Sequence, residues 1–228
     1  MHLRYFKVNK QFCHEWLPEI KLKSVTNAAG KRIYTTPEGR TYPSVTTVLS
    51  QHNQQAIIEW RNRVGAETAN RISRNAANRG TRFHKLAEQY IKNEAIVLDN
   101  PIHKSMFESV RPYLDEIDNI RASEYSLYSD YLRLAGTVDC IADFKGKPHI
   151  IDFKTSSKPK QRDWIHSYFM QTSAYAIMAE ERYGLTIPRL AIIIAVEDSD
   201  PQVFIEHRDD WADLLINYKD LYDSRTQL

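Results

Sequence analysis

The sequence predicts an α/β fold, a mixed central sheet flanked by helices, and three observations carry that prediction. The alternating run 134–144 is followed, after a short polar break, by the β-branched and aromatic run 149–154, as in a hairpin. Trp164, Tyr168, Gln171, Tyr175 and Met178 then recur at three- and four-residue spacing, the period of a helix over about residues 162–183. The apolar run 190–196 has a strand's length and is far too short to span a bilayer. With the helix and the strand read just upstream of them, these give helix, three strands, helix, strand, which is a sheet with helices to cover it.

Each element has its own signal. Residues 1–43 read as irregular β structure with a hairpin around Pro37-Glu38-Gly39, and Ser44 is a suitable cap for a short helix through Ser50. Residues 54–78 read as a long polar helix with a break near Gly65, and residues 81–92 as a further helix after a glycine stop at Gly80. Asn100-Pro101 supplies a cap and first-turn proline for a helix to about Arg121. Strands follow at 125–131, 134–144 and 149–154, with Lys145-Gly146-Lys147-Pro148 as the turn between the last two. Beyond the helix at 162–183, strands are expected at 189–196 and 202–207. A closing helix at 209–222 is expected to bury Trp211, Leu214, Leu215, Tyr218 and Leu221. At 228 residues the chain is long enough for one domain with a sizeable core, divided into an N-terminal β extension (1–43), a helical part (44–98) and a core (99–228).

The hairpin carries the chemistry. Side chains alternate along a strand, so Asp152 and Lys154 share a face and Phe153 takes the other. If pairing brings Asp139 alongside Asp152, two carboxylates converge, and they repel unless a cation lies between them. Mg²⁺ suits such an oxygen site and leaves room for water and phosphate oxygens. Lys154 would then orient a water nucleophile or offset charge on the transition state, which points to phosphodiester hydrolysis. An isolated Asp-x-Lys is common at strand edges, but here Ile150-Ile151 precede it and the polar run Thr155-Ser156-Ser157-Lys158 follows it. His84 and Glu88, four apart, lie on one helix face; an imidazole broadens an oxygen site towards Mn²⁺. Glu88 either supports that position or is simply solvated. His14, His52 and His103 read as ordinary structural or surface histidines.

Composition bounds the rest. The net charge of +2 announces no global attraction to nucleic acid, yet Arg61, Arg63, Arg71, Arg74, Arg79 and Arg82 cluster with only Glu67 against them, and Lys158, Lys160 and Arg162 follow the active strand. Such groups either contact successive phosphates or form a solvated helix face. The two cysteines, Cys13 and Cys140, cannot form a disulfide framework, and Cys140 reads as a small buried hydrophobe. Residues 1–20 are studded with charge, so neither a signal peptide nor a membrane span is expected, and a soluble intracellular protein is.

The motifs together resemble the PD-(D/E)xK nuclease superfamily. Val138-Asp139 stands in place of its usual Pro-Asp, and Asp152-Phe153-Lys154 supplies its (D/E)xK. Gly80-Thr81-Arg82-Phe83-His84 and Gln171-Thr172-Ser173-Ala174-Tyr175 resemble motifs of its RecB-like branch, in that branch's order. With Tyr42-Pro43-Ser44-Val45-Thr46, the likeness is to the mitochondrial genome maintenance exonucleases and their phage-encoded relatives, over about residues 42–183. The resemblance implies a restriction-endonuclease-like core. It implies Mg²⁺ or Mn²⁺ held by His84, Asp139, Asp152 and the Phe153 carbonyl, with Lys154 as catalytic lysine. Gln171 and Tyr175 would position the nucleic acid strand, and Ser44, Thr46, Arg79, Arg82, Thr155, Ser156 and Lys158 would lie near its phosphates. Residues 44–98 would then be the DNA-binding part and 99–228 the nuclease core. The four-cysteine iron–sulfur cluster of some relatives is not expected with two cysteines. The implied activity is a DNA exonuclease preferring single strands with free ends, working in the host cytoplasm if phage-encoded. An endonuclease or flap-cutting nuclease on the same core, RNA as substrate, and a non-catalytic nucleic-acid-binding module are the alternatives.

Overall fold

A computed structural model of the chain describes residues 5–6, 10–51, 54–98 and 100–226; His52 and parts of the N-terminal β extension lie outside the described residues. The short strand β1 (Tyr5–Phe6) is followed by a three-stranded antiparallel sheet, β2 (Lys23–Thr26), β3 (Arg32–Thr35) and β4 (Thr41–Pro43). Its β3–β4 hairpin turns through Pro37-Glu38-Gly39 as expected. Helix α1 (Val45–Ser50) comes next, then α2 (Gln54–Val64) and α3 (Ala66–Ile91), separated at Gly65, whose φ of 84° suits glycine. The stop expected at Gly80 does not occur. Glycine inside a helix costs only about 1 kcal/mol, and Phe83, Leu86, Ala87, Tyr90 and Ile91 on the same helix are buried.

After β5 (Ile96–Val97), which pairs with β1, helix α4 spans Pro101–Leu114 under an Asn100 cap. It stops seven residues short of Arg121, and strand β6 (Ile117–Ser129) begins well before the expected residue 125. The cause is a register shift between Asp118 and Ala122, with Asn119 at φ 46°. That irregularity buries Ile117 and Ile120, three residues apart, and so imitates helical spacing. Strands β7 (Leu134–Phe144) and β8 (Lys147–Ser156) form the expected hairpin, but the turn is only Lys145-Gly146, both at positive φ, and Lys147 and Pro148 already belong to β8. A 3-10 turn (Arg162–Trp164) precedes α5 (His166–Tyr183), so Trp164 is exposed and leaves the predicted stripe. Strands β9 (Arg189–Val196) and β10 (Gln202–His207) and helix α6 (Asp209–Thr226) complete the chain. On α6, Trp211, Leu215 and Tyr222 are buried, Leu214 and Tyr218 are half-buried, and Leu221, expected inside, is exposed.

The main sheet has the order β10-β9-β8-β7-β6, with β8 and β9 parallel and the other neighbours antiparallel. Helices cover both faces. Leu190, Ile192 and Ile194 of β9 join α1, α5 and α6 in one core, while Ala191, Ile193 and Ala195 join α3 and α4 in the other. A strand buried on both faces reads as a continuous apolar run, which is why β9 was so plain in the sequence. Among the described residues no helix is long and apolar enough to cross a membrane.

Candidate active site

Strands β7 and β8 pair from Phe144↔Lys147 as far as Cys140↔Ile151 and then part. Asp139 and Asp152 are the first residues past the parting. The Phe153 N–H donates to Asp139 Oδ2 at 2.8 Å, while β8 continues its ladder with β9 to Ser156. The acids thus face a slot that opens because β8 has exchanged one neighbour's backbone for that neighbour's side chain. Lys154, on the same face as Asp152, donates to its Oδ1 at 2.7 Å and lies 2.5 Å from its Oδ2. Gln171 of α5 reaches over the sheet to donate to the same Oδ1 at 3.2 Å. From α3, His84 Nδ1 stands 3.4 Å from Asp139 Oδ2 and 3.8 Å from Glu124 Oε1.

Charge is concentrated here under little water. Burial pushes the Asp152 carboxyl up to about 6, with Asp139 adding to the rise and Lys154 opposing it. Burial likewise raises Asp139 against the pull of His84 and Lys154. Burial works against the cationic forms of His84 and Lys154, yet both are held above their ordinary values: His84 chiefly by Glu124 and Asp139, Lys154 chiefly by Asp152 and Asp139. A pocket that raises an imidazole and an amine in spite of burial is a pocket of negative potential.

The donor set fits a divalent cation. His84, Glu124 and Asp139 each present a ligand atom, all within 4.8 Å of one another. One imidazole and two carboxylates suit Mg²⁺ or Mn²⁺. Asp152 has a buried Oδ2 that accepts no hydrogen bond, its contact with Lys154 being an ion pair without the angle of one. A cleft of about 590 Å³ lined by Gly80, Thr81, His84, Lys85, Glu88 and Glu124 gives access from the α3 side.

Glu124 was not found from the sequence. In the β6–β7 register Ser123 faces Cys140 and Tyr125 faces Val138, which sets Glu124 opposite Asp139. Its φ of 57° turns it out of the ladder and towards His84. Counting back from the turn end of the hairpin, where Ser129 faces Leu134, matches Glu124 with Asp139, one residue before the strand expected from 125.

Several residues expected near phosphate are engaged otherwise. Ser44 is buried, caps α1 by accepting from the Thr47 N–H at 3.0 Å and also bonds the Thr46 and Thr47 hydroxyls, so it is a structural cap. Ser44→Ala should lower stability by about 1 kcal/mol in urea unfolding; an unchanged midpoint would remove the capping role. Arg79 pairs with Glu197 at 3.1 Å and ties α3 to the end of β9, and Arg82 donates to the Val97 carbonyl at 2.8 Å. Ser156 is buried and donates to the Lys158 carbonyl at 2.6 Å, closing the turn after β8. Tyr175 is buried, its hydroxyl 3.5 Å from the Gln171 amide, so it packs behind the acids and cannot reach a strand at the surface. For Arg79 and Arg82 the partner is remote in sequence, whereas Ser44, Ser156 and Tyr175 are engaged by near neighbours. Glu88 lines the cleft and pairs with Lys92 at 2.6 Å. Thr46 and Lys158 are exposed, and the Thr155 hydroxyl faces Gly80, where an added β-carbon would meet it at 3.8 Å. Away from the site, His14 bonds the Ile91 carbonyl and Cys140 is fully buried.

Comparison with known proteins finds relatives over most of the chain. The human protein named mitochondrial genome maintenance exonuclease 1 is 30% identical over 175 residues, covering 70% of this chain and 50% of that protein. Its mouse counterpart is 27% identical over 194 residues (78% and 57%), and the Xenopus tropicalis protein of the same name 28% over 180 residues (71% and 50%). The chain spans about half the length of the curated relatives it matches. Residues 101–223 match the family model of the PD-(D/E)XK nuclease superfamily, a stretch that holds the sheet, Glu124, Asp139, Asp152, Lys154 and Gln171 and leaves only His84 outside. The parted strands lie within the matched stretch, which is more than half of the chain, and the chain belongs to the PD-(D/E)XK nuclease superfamily.

Proposed function

We propose that the chain is a metal-dependent exonuclease that hydrolyses phosphodiester bonds of single-stranded DNA from free ends. The observation that carries the reading is the meeting of Asp139, Asp152, Lys154 and His84 where β7 and β8 part. Exonuclease action and DNA as substrate are supported by the names of the three relatives. Asp139, Asp152, His84 and the Phe153 carbonyl would hold Mg²⁺ or Mn²⁺, with Glu124 beside them. When bound, such an ion supplies charge neutralisation at the phosphoryl group and acidity for a water nucleophile.

The chain's own residues do the rest. Lys154, paired with Asp152, offsets negative charge developing on the phosphate oxygens. Gln171 fixes the Asp152 carboxylate by its amide, and Tyr175 fixes Gln171 from behind. Burial of both acids excludes bulk water from the reacting face. Arg63, Arg71 and Arg74, exposed on α2 and the first half of α3, supply phosphate contacts leading to the cleft.

Digestion of end-labelled linear, circular and duplex DNA tests the reading directly. Linear single strands should be degraded with Mg²⁺ or Mn²⁺, circles spared, duplex cut more slowly, and EDTA should stop the reaction. Cleavage of circles would make the enzyme an endonuclease, and full activity in EDTA would remove the metal.

A further inference from the structure

A second recess adjoins the reacting groups. It measures about 220 Å³ and is lined by Thr46, Leu49, Ser50, Ser167, Tyr168 and Gln171, at the junction of α1 and α5. Two of these residues are also parts of the active site. Gln171 holds Asp152, and the Tyr168 ring lies 5.1 Å from the Lys154 ammonium.

Size and chemistry narrow the occupant. Pockets for drug-sized ligands begin at roughly 300 Å³, so this one suits a single heterocycle rather than a nucleotide or a base pair. The lining has no charged side chain, which makes it a poor seat for phosphate. Leu49 and the Tyr168 ring offer an apolar wall, and the hydroxyls of Thr46, Ser50 and Ser167 offer an edge that can both donate and accept. Hydroxyls of that kind bond any base and select none. The Ser50 hydroxyl donates to the Thr47 carbonyl at 3.0 Å and keeps its acceptor capacity.

We infer that this recess receives one unpaired nucleobase, that of the nucleotide next to the scissile phosphate, with Tyr168 and Leu49 against the ring and the three hydroxyls at its edge. The inference rests on the nuclease reading above. It adds a source of single-strand preference inside the site itself, because a base in a duplex must unpair and unstack before it can enter.

The test uses single-stranded DNA oligonucleotides, each with one abasic residue at a successive position, digested by the whole protein with Mg²⁺ in single-turnover conditions. Cleavage should slow about tenfold or more at one position within a nucleotide of the bond being cut, the loss expected when one base–aromatic contact is removed. Ser50→Trp, a substitution at an exposed position that fills the recess, should slow cleavage of the unmodified strand and abolish the positional difference. Ser167→Trp, entering from the other helix, should do the same, and a melting temperature for each variant separates blockage from unfolding. Normal cleavage with no positional penalty would overturn the base pocket and leave the nuclease standing. No cleavage of any strand by the unaltered protein would overturn both.

Discussion

Asp152→Asn is expected to reduce DNA cleavage on the order of a thousandfold or more, while the protein still folds. The substitution keeps the shape and an oxygen for Lys154 and Gln171, and removes the charge a cation needs. It also removes a carboxyl that burial pushes up to about 6. Burial opposes the ionised carboxyl, while its charge also supports the Lys154 ammonium, so in EDTA the substitution relieves one buried charge as it unpairs another and the melting temperature should move only a little. Loss of activity with stability retained separates a reaction role from a packing role. Cleavage at the unaltered rate would sink the metal-site reading, and a large fall in melting temperature would show that the carboxylate is structural.

Gly136→Ala should cost about 1–3 kcal/mol of stability and much of the activity. A β-carbon at Gly136 would lie 2.7 Å from the Tyr175 hydroxyl, 2.8 Å from its Cε1 and 3.2 Å from its Cζ. The Tyr175 ring is buried and rigid, so it cannot swing aside as a lysine tip would. Displacing it disturbs Gln171 and, through Gln171, the Asp152 carboxylate. Urea unfolding and single-turnover cleavage check the two effects. Combining Gly136→Ala with Tyr175→Leu should recover part of the stability without restoring the rate, since the clash goes but the support for Gln171 does not. A Gly136→Ala protein as stable and active as the original would show that the two residues are not coupled.

What could be read from the sequence was whatever depends on local period. The β7–β8 hairpin, α5 and β9 were legible because alternation, helical stripe and a continuous apolar run each reflect one element's own burial. Asp139, Asp152 and Lys154 followed, since a tight hairpin converts sequence spacing into spatial register. Glu124 was hidden because the irregular start of β6 spaces Ile117 and Ile120 like a helix, so the strand was expected only from 125, one residue past it. The arginines were ambiguous for another reason. Arg79 and Arg82 look like their neighbours Arg71 and Arg74 until the chain folds and brings Glu197 and the Val97 carbonyl to them. Charge patterning shows where cations are, and only tertiary structure shows which are already engaged.

Helix α3 is unbroken over 26 residues, about 39 Å at 1.5 Å per residue. Its second half is clamped in the core by Phe83, Leu86, Ala87, Tyr90 and Ile91, and between Asn70 and Asn78 it touches water on every side. Such a helix is a lever with one end embedded. His84 lies just inside the embedded half, ten residues of hydrogen-bonded backbone from Arg74, so the imidazole beside Asp139 and the exposed arginine ride on one element. Gly80, between the two, is where the lever flexes most easily, and its stiffness sets how much of a pull outside becomes a displacement within.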